Sequence, residues 1–567
     1  MNPERLLFHY ERTADAPDAI LSLRRFTLDL AVRGKLVPQD PKDEPARELL
    51  RRIAKEKARR VRLGQIRKSK ALPEIEETAF DLPHPWCWTR IREVTSDRGQ
   101  TVPEANFTYI DVTAIDKENG IVANPKVLPA KNAPSRARKI TRKGDVIYSC
   151  VRPYLLNVAV IEDDFDPAPI ASTAFAILDG LGLVLPRYLW IVLRSPFMVE
   201  RVESCMRGQA YPAINDADFA VLPLPLPPFA EQQRIVAKVD ELMALCDELG
   251  AARAEREAKR DRLATACHAR LSAPDPDTFQ DDAQFVRNAM SALTTRPDQI
   301  KQIRQTILTL GARGKLVQQW SRDEPASELL KRIAKEKTRL VRAGEIKKAE
   351  PVVDLTASEP DIPIANGWAV TNLQSVCVSV TDGDHLPPPK TETGVPFLVI
   401  GNVRSRAIDF SQSRFVSQEY YRNLDSIRRP KNGDLLYTLV GSYGIPVVVR
   451  DDRPFCVQRH IGILRPCTLI DVNFLALAME SELAFGQATA YATGIAQKTV
   501  PLSGLRKLLL PLPPLTEQHR IVARVNELMH LCDQLAASLA AAEAGRSRLL
   551  NALLQEALAP AAMEEAA

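Results

Sequence analysis

The chain has 567 residues, which is enough for about three to five domains that each bury a core. Charged residues make up 26% and hydrophobic residues 45%, as in an ordinary globular protein, and the net charge of +5 is only mildly basic. No apolar run approaches the ~20 residues of a membrane span, and the first residues lack a signal-peptide pattern. The nine cysteines are scattered, without a C-x-x-C pair. We therefore expect a cytoplasmic protein with reduced thiols and no membrane partner.

Two segments of the chain each occur twice. Leu224–Leu249 and Leu510–Leu535 share the string L-P-L-P-P-x-x-E-Q-x-R-I-V-A at a constant offset of 286 residues. Leu30–Lys68 and Leu310–Lys348 share R-G-K-L-V followed by D-E-P-A-x-E-L-L. Duplication of both segments predicts two copies of one unit, a pseudo-two-fold internal repeat. The segments between them match only loosely.

The beginning of the chain predicts short helices. The first ~20 residues are charged and interrupted by proline, which is typical of a loosely held tail. Ile20–Val37 has hydrophobic residues at helical spacing and predicts an amphipathic helix with Gly34 near its end. Asp43–Ala46 predicts the start of a second helix, because acids and proline suit a first turn. Its basic side chains form either a solvated face or a contact surface for DNA phosphates or an acidic partner. They are Arg51, Arg52, Lys55, Lys57, Arg59, Arg60 and Arg62.

The two middle segments both predict mixed α/β domains. Each contains short apolar runs separated by proline, glycine and asparagine, followed by a helical stretch. The predicted strands are Val146–Tyr148, Ala159–Ile161, Ala174–Leu178, Phe397–Ile400, Gly433–Tyr437 and Val447–Val449, and the predicted helices are 188–204 and 472–490. The G-D-x-x-Y strings at Gly144–Tyr148 and Gly433–Tyr437 indicate that the two domains share a fold.

Each middle domain ends in a proline-rich junction, and a long helix follows. Proline fixes φ and cannot continue the interior of a strand or helix, so the junction predicts a stiff exit. A stripe of apolar residues then continues for about 40 residues, which predicts a helix of roughly 60 Å. The simplest arrangement is an antiparallel coiled coil between the two long helices, with residues 273–299 linking the halves.

Motifs for catalysis are missing from the sequence. An adenine methyltransferase needs an Asn or Asp before P-P-Y/F, but Leu226 and Leu512 occupy that position. Gly311–Lys315 lacks the spacing and the Ser or Thr of a phosphate-binding loop, and the seven histidines are dispersed. We expect no catalytic site and no metal site on this chain, and interpret it as a binding and scaffolding protein.

The repeated junctions, the R-G-K-L-V…D-E-P-A-x-E-L-L helices and the alternation with divergent inserts resemble the specificity (S) subunits of type I restriction–modification systems. The second insert adds Thr381–His385, Pro396–Val403, Gly441–Gly444, Gln458–Ile461 and Ala496–Lys498. The first insert carries the weaker strings Ser149–Pro153 and Gly208–Pro212 and lacks T-D-G-x-H.

This resemblance implies a non-catalytic subunit of α+β fold. Each insert would be a target recognition domain that reads one half of a bipartite double-stranded DNA target. The long helices would form a spacer that also docks methyltransferase (M) subunits, two of them in our prediction, in a complex with restriction (R) subunits. S-adenosylmethionine, ATP and Mg would then be bound by the partner subunits, and no cofactor by this chain.

The resulting domain boundaries follow the repeats. They are 1–20, N-terminal tail; 21–80, first helical repeated segment; 81–222, target recognition domain 1; 223–272, long spacer helix 1; 273–299, linker; 300–361, second helical repeated segment; 362–509, target recognition domain 2; and 510–567, long spacer helix 2 with the C-terminal tail.

Candidate DNA-binding residues are side chains that can read base edges. Arg and Lys pair with guanine, and Gln and Asn with adenine, in the major groove. The candidates in the first insert are Arg98, Gln100, Arg152, Tyr154, Arg207, Gln209 and Tyr211. The candidates in the second are Asp382, His385, Lys390, Ser442, Tyr443, Arg459, His460, Gln497 and Lys498. A free-standing two-domain DNA-binding regulator built on the same frame remains the alternative function.

Overall fold

The structure is a computed structural model. It describes residues 10–67, 72, 75, 78–208, 211–272, 278–347, 364–385, 388–389, 391–404, 406–495 and 497–558. The chain forms two compact units, one made of Met1–Glu255 with Glu543–Ala567 and the other of Arg256–Ala542.

Helices occur in both units. In chain order they are α1 Tyr10–Thr13, α2 Ala19–Val32, α3 Ala46–Arg62, α4 Ile91–Val94, α5 Pro186–Arg194, α6 Pro196–Cys205, α7 Asp216–Ala220, α8 Phe229–Ser272, α9 Phe279–Leu293, α10 Pro297–Ala312, α11 Ala326–Arg342, α12 Leu373–Val376, α13 Gln418–Asn423, α14 Val472–Glu480, α15 Glu482–Tyr491, α16 Leu502–Lys507 and α17 Leu515–Leu558. The two long helices, α8 and α17, have 44 residues each and would measure about 66 Å at 1.5 Å per residue.

The strands of the first unit are β1 Cys87–Arg90, β2 Phe107–Ile110, β3 Ile115–Asp116, β4 Ile121–Val122, β5 Lys126–Leu128, β6 Ala137–Ile140, β7 Val146–Ser149, β8 Val158–Val160, β9 Pro169–Ser172, β10 Phe175–Leu178 and β11 Pro223–Leu226. They form a five-stranded sheet in the order β10-β7-β8-β4-β3, a four-stranded sheet β5-β2-β9-β6 and the pair β1-β11. Most pairings are antiparallel, but β2 with β9 and β4 with β8 are parallel.

The strands of the second unit are β12 Ala369–Asn372, β13 Cys377–Asp382, β14 Val395–Leu398, β15 Val403–Arg404, β16 Ala407–Ile408, β17 Arg414–Val416, β18 Leu435–Thr438, β19 Pro446–Val448, β20 Cys456–Val457, β21 Ile461–Pro466 and β22 Leu509–Leu512. They form the sheets β13-β21-β18-β19 and β17-β14-β20 and the pairs β12-β22 and β15-β16. Both units are therefore mixed α/β, which confirms that part of the predicted fold class.

The first proline of each L-P-L-P-P junction, Pro225 or Pro511, lies within a strand, although we expected the junction to exclude one, and the two prolines that follow lie beyond the strand. Thr89 pairs with Leu224, while Trp88 and Arg90 stand opposite Pro225 and Pro223. In an antiparallel pair only every second residue donates to its partner, so prolines at the other positions sacrifice no hydrogen bond. The same arrangement recurs where β12 pairs with β22.

The repeated E-Q-x-R string ties the start of each long helix to its own unit. Glu231 and Gln232 are fully buried. The indole Nε1–H of Trp86 donates to Glu231 Oε2 at 2.9 Å. The side chain of Gln232 accepts from the Leu185 backbone N–H at 3.0 Å and donates to the Pro227 carbonyl at 3.2 Å. The helix is thereby fixed to the segment before β1 and to the start of α5.

The second unit repeats the connections made by the glutamine and the arginine. Gln518 accepts from the Asp471 N–H and donates to the Pro513 carbonyl, both at 3.0 Å. Arg520 pairs with Asp323 at 2.6 Å. Burial raises the pKa of Glu517, as it does for Glu231 in the first unit. We call Glu231, Gln232, Arg234 and their counterparts Glu517, Gln518, Arg520 the helix clamps.

The apolar stripe of each long helix packs first on the core of its own unit. Ile235 and Val239 belong to the same hydrophobic cluster as Trp190 and Leu224 in the first unit. Ile521 and Val525 belong to the large hydrophobic cluster of the second unit. The beginning of each stripe therefore has a partner within its own unit, whereas we had expected the other long helix.

Several predicted boundaries are corrected. The helix predicted over Ile20–Val37 ends at Val32, because Gly34 turns the chain at φ +67° and lies against Pro83. Leu36 and Val37 still pack on the core, which is why the hydrophobic pattern continues past the helix. The predicted helices 188–204 and 472–490 are each two helices, broken at Ser195 and at Ser481. These serines adopt extended backbone angles and cap the following helix.

Two predicted irregular segments are partly ordered. In the predicted tail, Ala16 and Ala19 are buried against Leu550 and Leu554, whereas residues 1–9 lie outside the described residues. The predicted linker 273–299 contains α9. This helix packs through Val286 and Leu293 on α8, since its apolar residues recur at helical spacing.

Replacing Gln518 with alanine is expected to lower the free energy of unfolding by about 2–4 kcal/mol, because it leaves a buried N–H and a buried carbonyl unpaired. Urea denaturation followed by tryptophan fluorescence measures this loss. Gln534→Ala changes an exposed glutamine on the same helix and should stay within about 0.5 kcal/mol of the parent. Equal denaturation midpoints for the two variants would contradict the role of the clamp.

Candidate nucleic-acid interface

Four loop segments meet at one end of the second domain. The Gly383 N–H donates to the Ile461 carbonyl at 3.2 Å, and the Leu439 N–H donates to the His460 carbonyl at 2.9 Å. The Gly441 N–H donates to the Lys498 carbonyl at 3.0 Å. We call residues 382–385, 439–444, 457–461 and 493–499, without 496, loop cluster 2. It contains the predicted residues Asp382, His385, Ser442, Tyr443, Arg459, His460, Gln497 and Lys498.

Apart from His385, which pairs with Asp382, four of these side chains are exposed and suited to contact a ligand. They are Ser442, Arg459, Gln497 and Lys498. The nearest polar contact of the Arg459 guanidinium is His460 Nε2 at 3.4 Å, and among the described residues no carboxylate pairs with Arg459. Burial and the Arg459 charge lower the pKa of His460. This imidazole is therefore neutral near pH 7 and can both donate and accept a hydrogen bond.

The other predicted residues of this cluster have internal partners. Asp382 is buried and accepts from His385 Nε2 at 3.0 Å. The Tyr443 ring stacks on Phe485 with centroids 5.5 Å apart, and its hydroxyl lies 3.0 Å from Thr489 Oγ1. The tyrosine therefore supports the 439–444 turn. His385 keeps more than half of its side chain exposed.

The first domain has a similar but smaller group of loops. Arg207 and Ala213 exchange backbone hydrogen bonds at 2.9 and 3.0 Å, and the Arg152 N–H donates to the Pro212 carbonyl at 2.8 Å. We call residues 151–155 and 207–213, without 209 and 210, loop cluster 1. The Arg152 guanidinium lies 4.7 Å from the centre of the Tyr211 ring, which is 69% exposed.

The two clusters share one construction. A β-bridge joins Val151 to Ala213 in the first and Val440 to Thr499 in the second. The loop glycines, Gly208 and Gly494, have φ of +96° and +101°. The two loops carry different side chains at corresponding positions. At the offset of 286 residues, Tyr211 of loop cluster 1 corresponds to Gln497 of loop cluster 2. Similar loops thus present different chemistry.

Some predicted residues lie outside these clusters. Arg98 donates to Asp145 at 2.7 Å and lies 3.4 Å from Asp179, and the Asp145 side chain is fully buried. This pair is internal, so Arg98 is the weakest candidate. Gln100 is exposed, and its backbone forms an isolated β-bridge with Lys139. Gln209 and Lys390 lie outside the described residues. Within loop cluster 1, Arg207 is 79% exposed and contacts Asp218, and Tyr154 is 42% exposed.

The basic face of α3 is partly structural. Lys57 Nζ donates to the carbonyls of Arg92 and Thr95, at 3.0 Å for Thr95, and so caps the end of α4. Burial lowers the pKa of Lys57. Arg60 pairs with Asp179 at 2.9 Å. These two cations serve the fold, while Arg51, Arg52 and Arg59 pair with acids on or just before the helix.

Sequence reasoning missed one feature of loop cluster 2. Ile495 follows the loop glycine and is fully exposed. Aligning the two inserts at the 286 offset would have marked the position, because both loops begin with glycine and differ at the next residue.

The described part of the chain holds no candidate membrane span and no candidate metal cluster. No helix there combines the length and hydropathy of a membrane span. No group of three or more His, Cys, Asp or Glu residues there could hold a metal ion.

The chain is similar in sequence to known proteins. The family model for the type I restriction modification DNA specificity domain matches residues 367–541. The type I restriction enzyme EcoAI specificity subunit of Escherichia coli is 28% identical over 562 residues, covering 95% of this chain and 94% of that protein. The predicted resemblance to type I specificity subunits is confirmed. The EcoEI specificity subunit of Escherichia coli is also 28% identical, over 561 residues and the same shares of both chains.

A solved structure shows the same fold. It is described as the structural basis underlying complex assembly and conformational transition of the type I R-M system. The similarity has a TM-score of 0.51 at 24% identity and covers 84% of this chain and 99% of that chain.

Arg98→Ala is expected to lower the free energy of unfolding by about 3–5 kcal/mol, because it leaves the buried Asp145 carboxylate without its cation. Thermal and urea unfolding measure the effect. Arg207→Ala removes an exposed arginine from the same domain and should change stability by less than about 1 kcal/mol. If Arg98→Ala is as stable as Arg207→Ala, the internal role of Arg98 is wrong.

Proposed function

We propose that this chain is the DNA sequence-specificity subunit of a type I restriction–modification complex and reads a bipartite target. Loop cluster 1 contacts one half of the target and loop cluster 2 contacts the other. The observation that carries this proposal is the pair of similarly built glycine loops with different exposed side chains. A repeated frame with different readers suits two unrelated half-sites.

The exposed side chains of loop cluster 2 match the chemistry of base edges. Gln497 can pair with adenine through two hydrogen bonds, and Arg459 can pair with guanine in the same way. Lys498 and Ser442 can bind phosphates or bases. His385, His460 and the buried Asp382 complete the proposed surface, and Tyr443 supports it. Lys390 stays a candidate DNA-binding residue on the basis of the sequence.

In loop cluster 1 the proposed readers are Arg152, Arg207 and Tyr211, with Tyr154 beside them. Stacking on Tyr211 orients the Arg152 guanidinium, which favours planar, two-bond recognition of a base. Gln209 and Gln100 stay candidate DNA-binding residues on the basis of the sequence. Arg98 is the weakest candidate because it pairs internally with Asp145.

The long helices support the spacer role. We propose that α8 and α17 form an antiparallel coiled coil with pseudo-two-fold symmetry, which sets the distance between the two readers. Leu245 and Leu531 correspond at the offset of 286 and are 47% and 52% exposed. This matched pair favours docking of two M subunits, with R subunits completing the complex.

We propose that this chain is not itself an enzyme. S-adenosylmethionine, ATP and Mg would be bound by the M and R subunits. A free-standing regulator is the alternative function. A neighbouring reading frame that encodes the N-P-P-Y/F loop of an adenine methyltransferase would favour the specificity-subunit assignment.

Mapping methylated adenine across the host genome, with and without this chain, tests the function. We expect a two-part motif with a fixed gap that disappears when the chain is deleted and returns when it is restored. A chain with a stop codon before α17 is the control, because it lacks the second long helix. A methylated motif that persists after deletion would contradict the proposal.

Arg459→Ala and Gln497→Ala should each relax the choice of base at one position of one half-site, at a cost of about 1–3 kcal/mol in binding. Competition binding of the reconstituted complex to target and single-substituted DNA measures this. Arg342→Ala, an exposed arginine at the end of α11, should leave the choice of base unchanged. Unaltered half-site choice in both test variants would show that these residues do not read bases.

A further inference from the structure

The loop that starts at Thr493 carries a fully exposed apolar side chain. Ile495 has a relative exposure of 107%, higher than any other large hydrophobic residue among those described. Its neighbours in loop cluster 2 are the exposed polar side chains of Arg459, Gln497 and Lys498. Ile495 is therefore an apolar residue in a loop cluster whose exposed polar side chains suit base edges and phosphates.

Backbone hydrogen bonds hold the two ends of this loop together. Thr493 and Thr499 exchange two hydrogen bonds, at 2.9 and 2.8 Å. Gly494 has φ +101°, and a Cβ there would lie 2.5 Å from the Gln497 carbonyl oxygen. The Gly441 N–H anchors the loop at the Lys498 carbonyl. These contacts hold both ends of the loop on which Ile495 lies.

Removing an isoleucine side chain from water is favourable, and for the exposed Ile495 that gain is available only through a partner. In the major groove, the 5-methyl group of thymine is the apolar group among the base-edge features that side chains read. We infer that Ile495 is a specificity-determining residue that contacts the 5-methyl group of a thymine in the half-site read by the second domain. The inference rests on the proposed function.

The first domain offers a contrast at the same place in the sequence. Gln209 corresponds to Ile495 at the offset of 286, and its amide can donate and accept hydrogen bonds. An amide and a butyl side chain select different base features, which agrees with two different half-sites. Ile495→Gln therefore makes a matched replacement drawn from the chain itself.

Deoxyuridine provides the test, because it differs from thymidine only by the missing methyl group. The parent complex with its M subunits is titrated with target DNA in which each thymine of the second half-site is replaced in turn. We expect one position at which the replacement weakens binding about fourfold, the value of one buried methyl group. Ile495→Ala and Ile495→Gln should bind the thymine target more weakly and lose sensitivity to deoxyuridine at that position alone.

Ile364→Ala is the control, since Ile364 is an exposed isoleucine in the same unit outside loop cluster 2. It should retain the full deoxyuridine effect. Three results would overturn the inference: a second half-site without thymine on either strand, equal deoxyuridine sensitivity in parent and Ile495→Ala, or a uniform loss of affinity on all sequences. The last result would indicate a wedge between base steps.

The test also separates this inference from the proposed function. If Arg459→Ala and Gln497→Ala relax base choice while Ile495→Ala leaves every deoxyuridine effect intact, only the thymine contact is wrong. If none of the three variants changes base choice, the second domain does not read DNA through loop cluster 2, and both proposals fail.

Discussion

The buried carboxyl and amide groups at the start of each long helix are the interaction on which each unit depends. A glutamate and a glutamine without solvent access must find partners, because an unpaired buried polar group costs about 1–3 kcal/mol. Glu231 finds Trp86, and Gln232 finds the backbone at both the junction and the start of α5. Three separate parts of the first unit are therefore held to one helical turn. The direction in which α8 leaves the domain follows from these bonds.

This constraint explains why the clamp string is repeated while the domains between the repeats diverge. The clamps bind backbone groups of Leu185 and Asp471, which are available whatever side chain those positions carry. Their other contacts, Trp86 and the acids Asp43 and Asp323, lie within or next to the repeated segments. The loops that carry the proposed readers take no part in these contacts. A recognition loop can change its side chains without disturbing the attachment of its domain to the helix.

Much of the fold could be predicted because its signals are local. The long helices have a sustained apolar stripe, and strands such as β7 and β18 are short apolar runs that begin after a glycine turn. The helix breaks at Ser195 and Ser481 were missed because the hydrophobic pattern continues across them. Arg98 was chosen for its chemistry, but its partner Asp145 is 47 residues away and could not be seen locally. α9 was hidden by the polar and proline-containing residues that precede it.

The candidate site was partly predictable for the same reason. Polar side chains flanked by glycine mark loops, and Arg152, Tyr211, Arg459 and Gln497 lie on the loops that the structure brings together. What the sequence could not show is which of these side chains are already used within the protein: Asp382 and Tyr443 have internal partners, whereas Arg459 contacts only His460 and pairs with no carboxylate among the described residues. Exposure depends on the packing of segments more than 100 residues apart. The same packing leaves Ile495 fully exposed, and an apolar side chain in water gains stability when a ligand covers it.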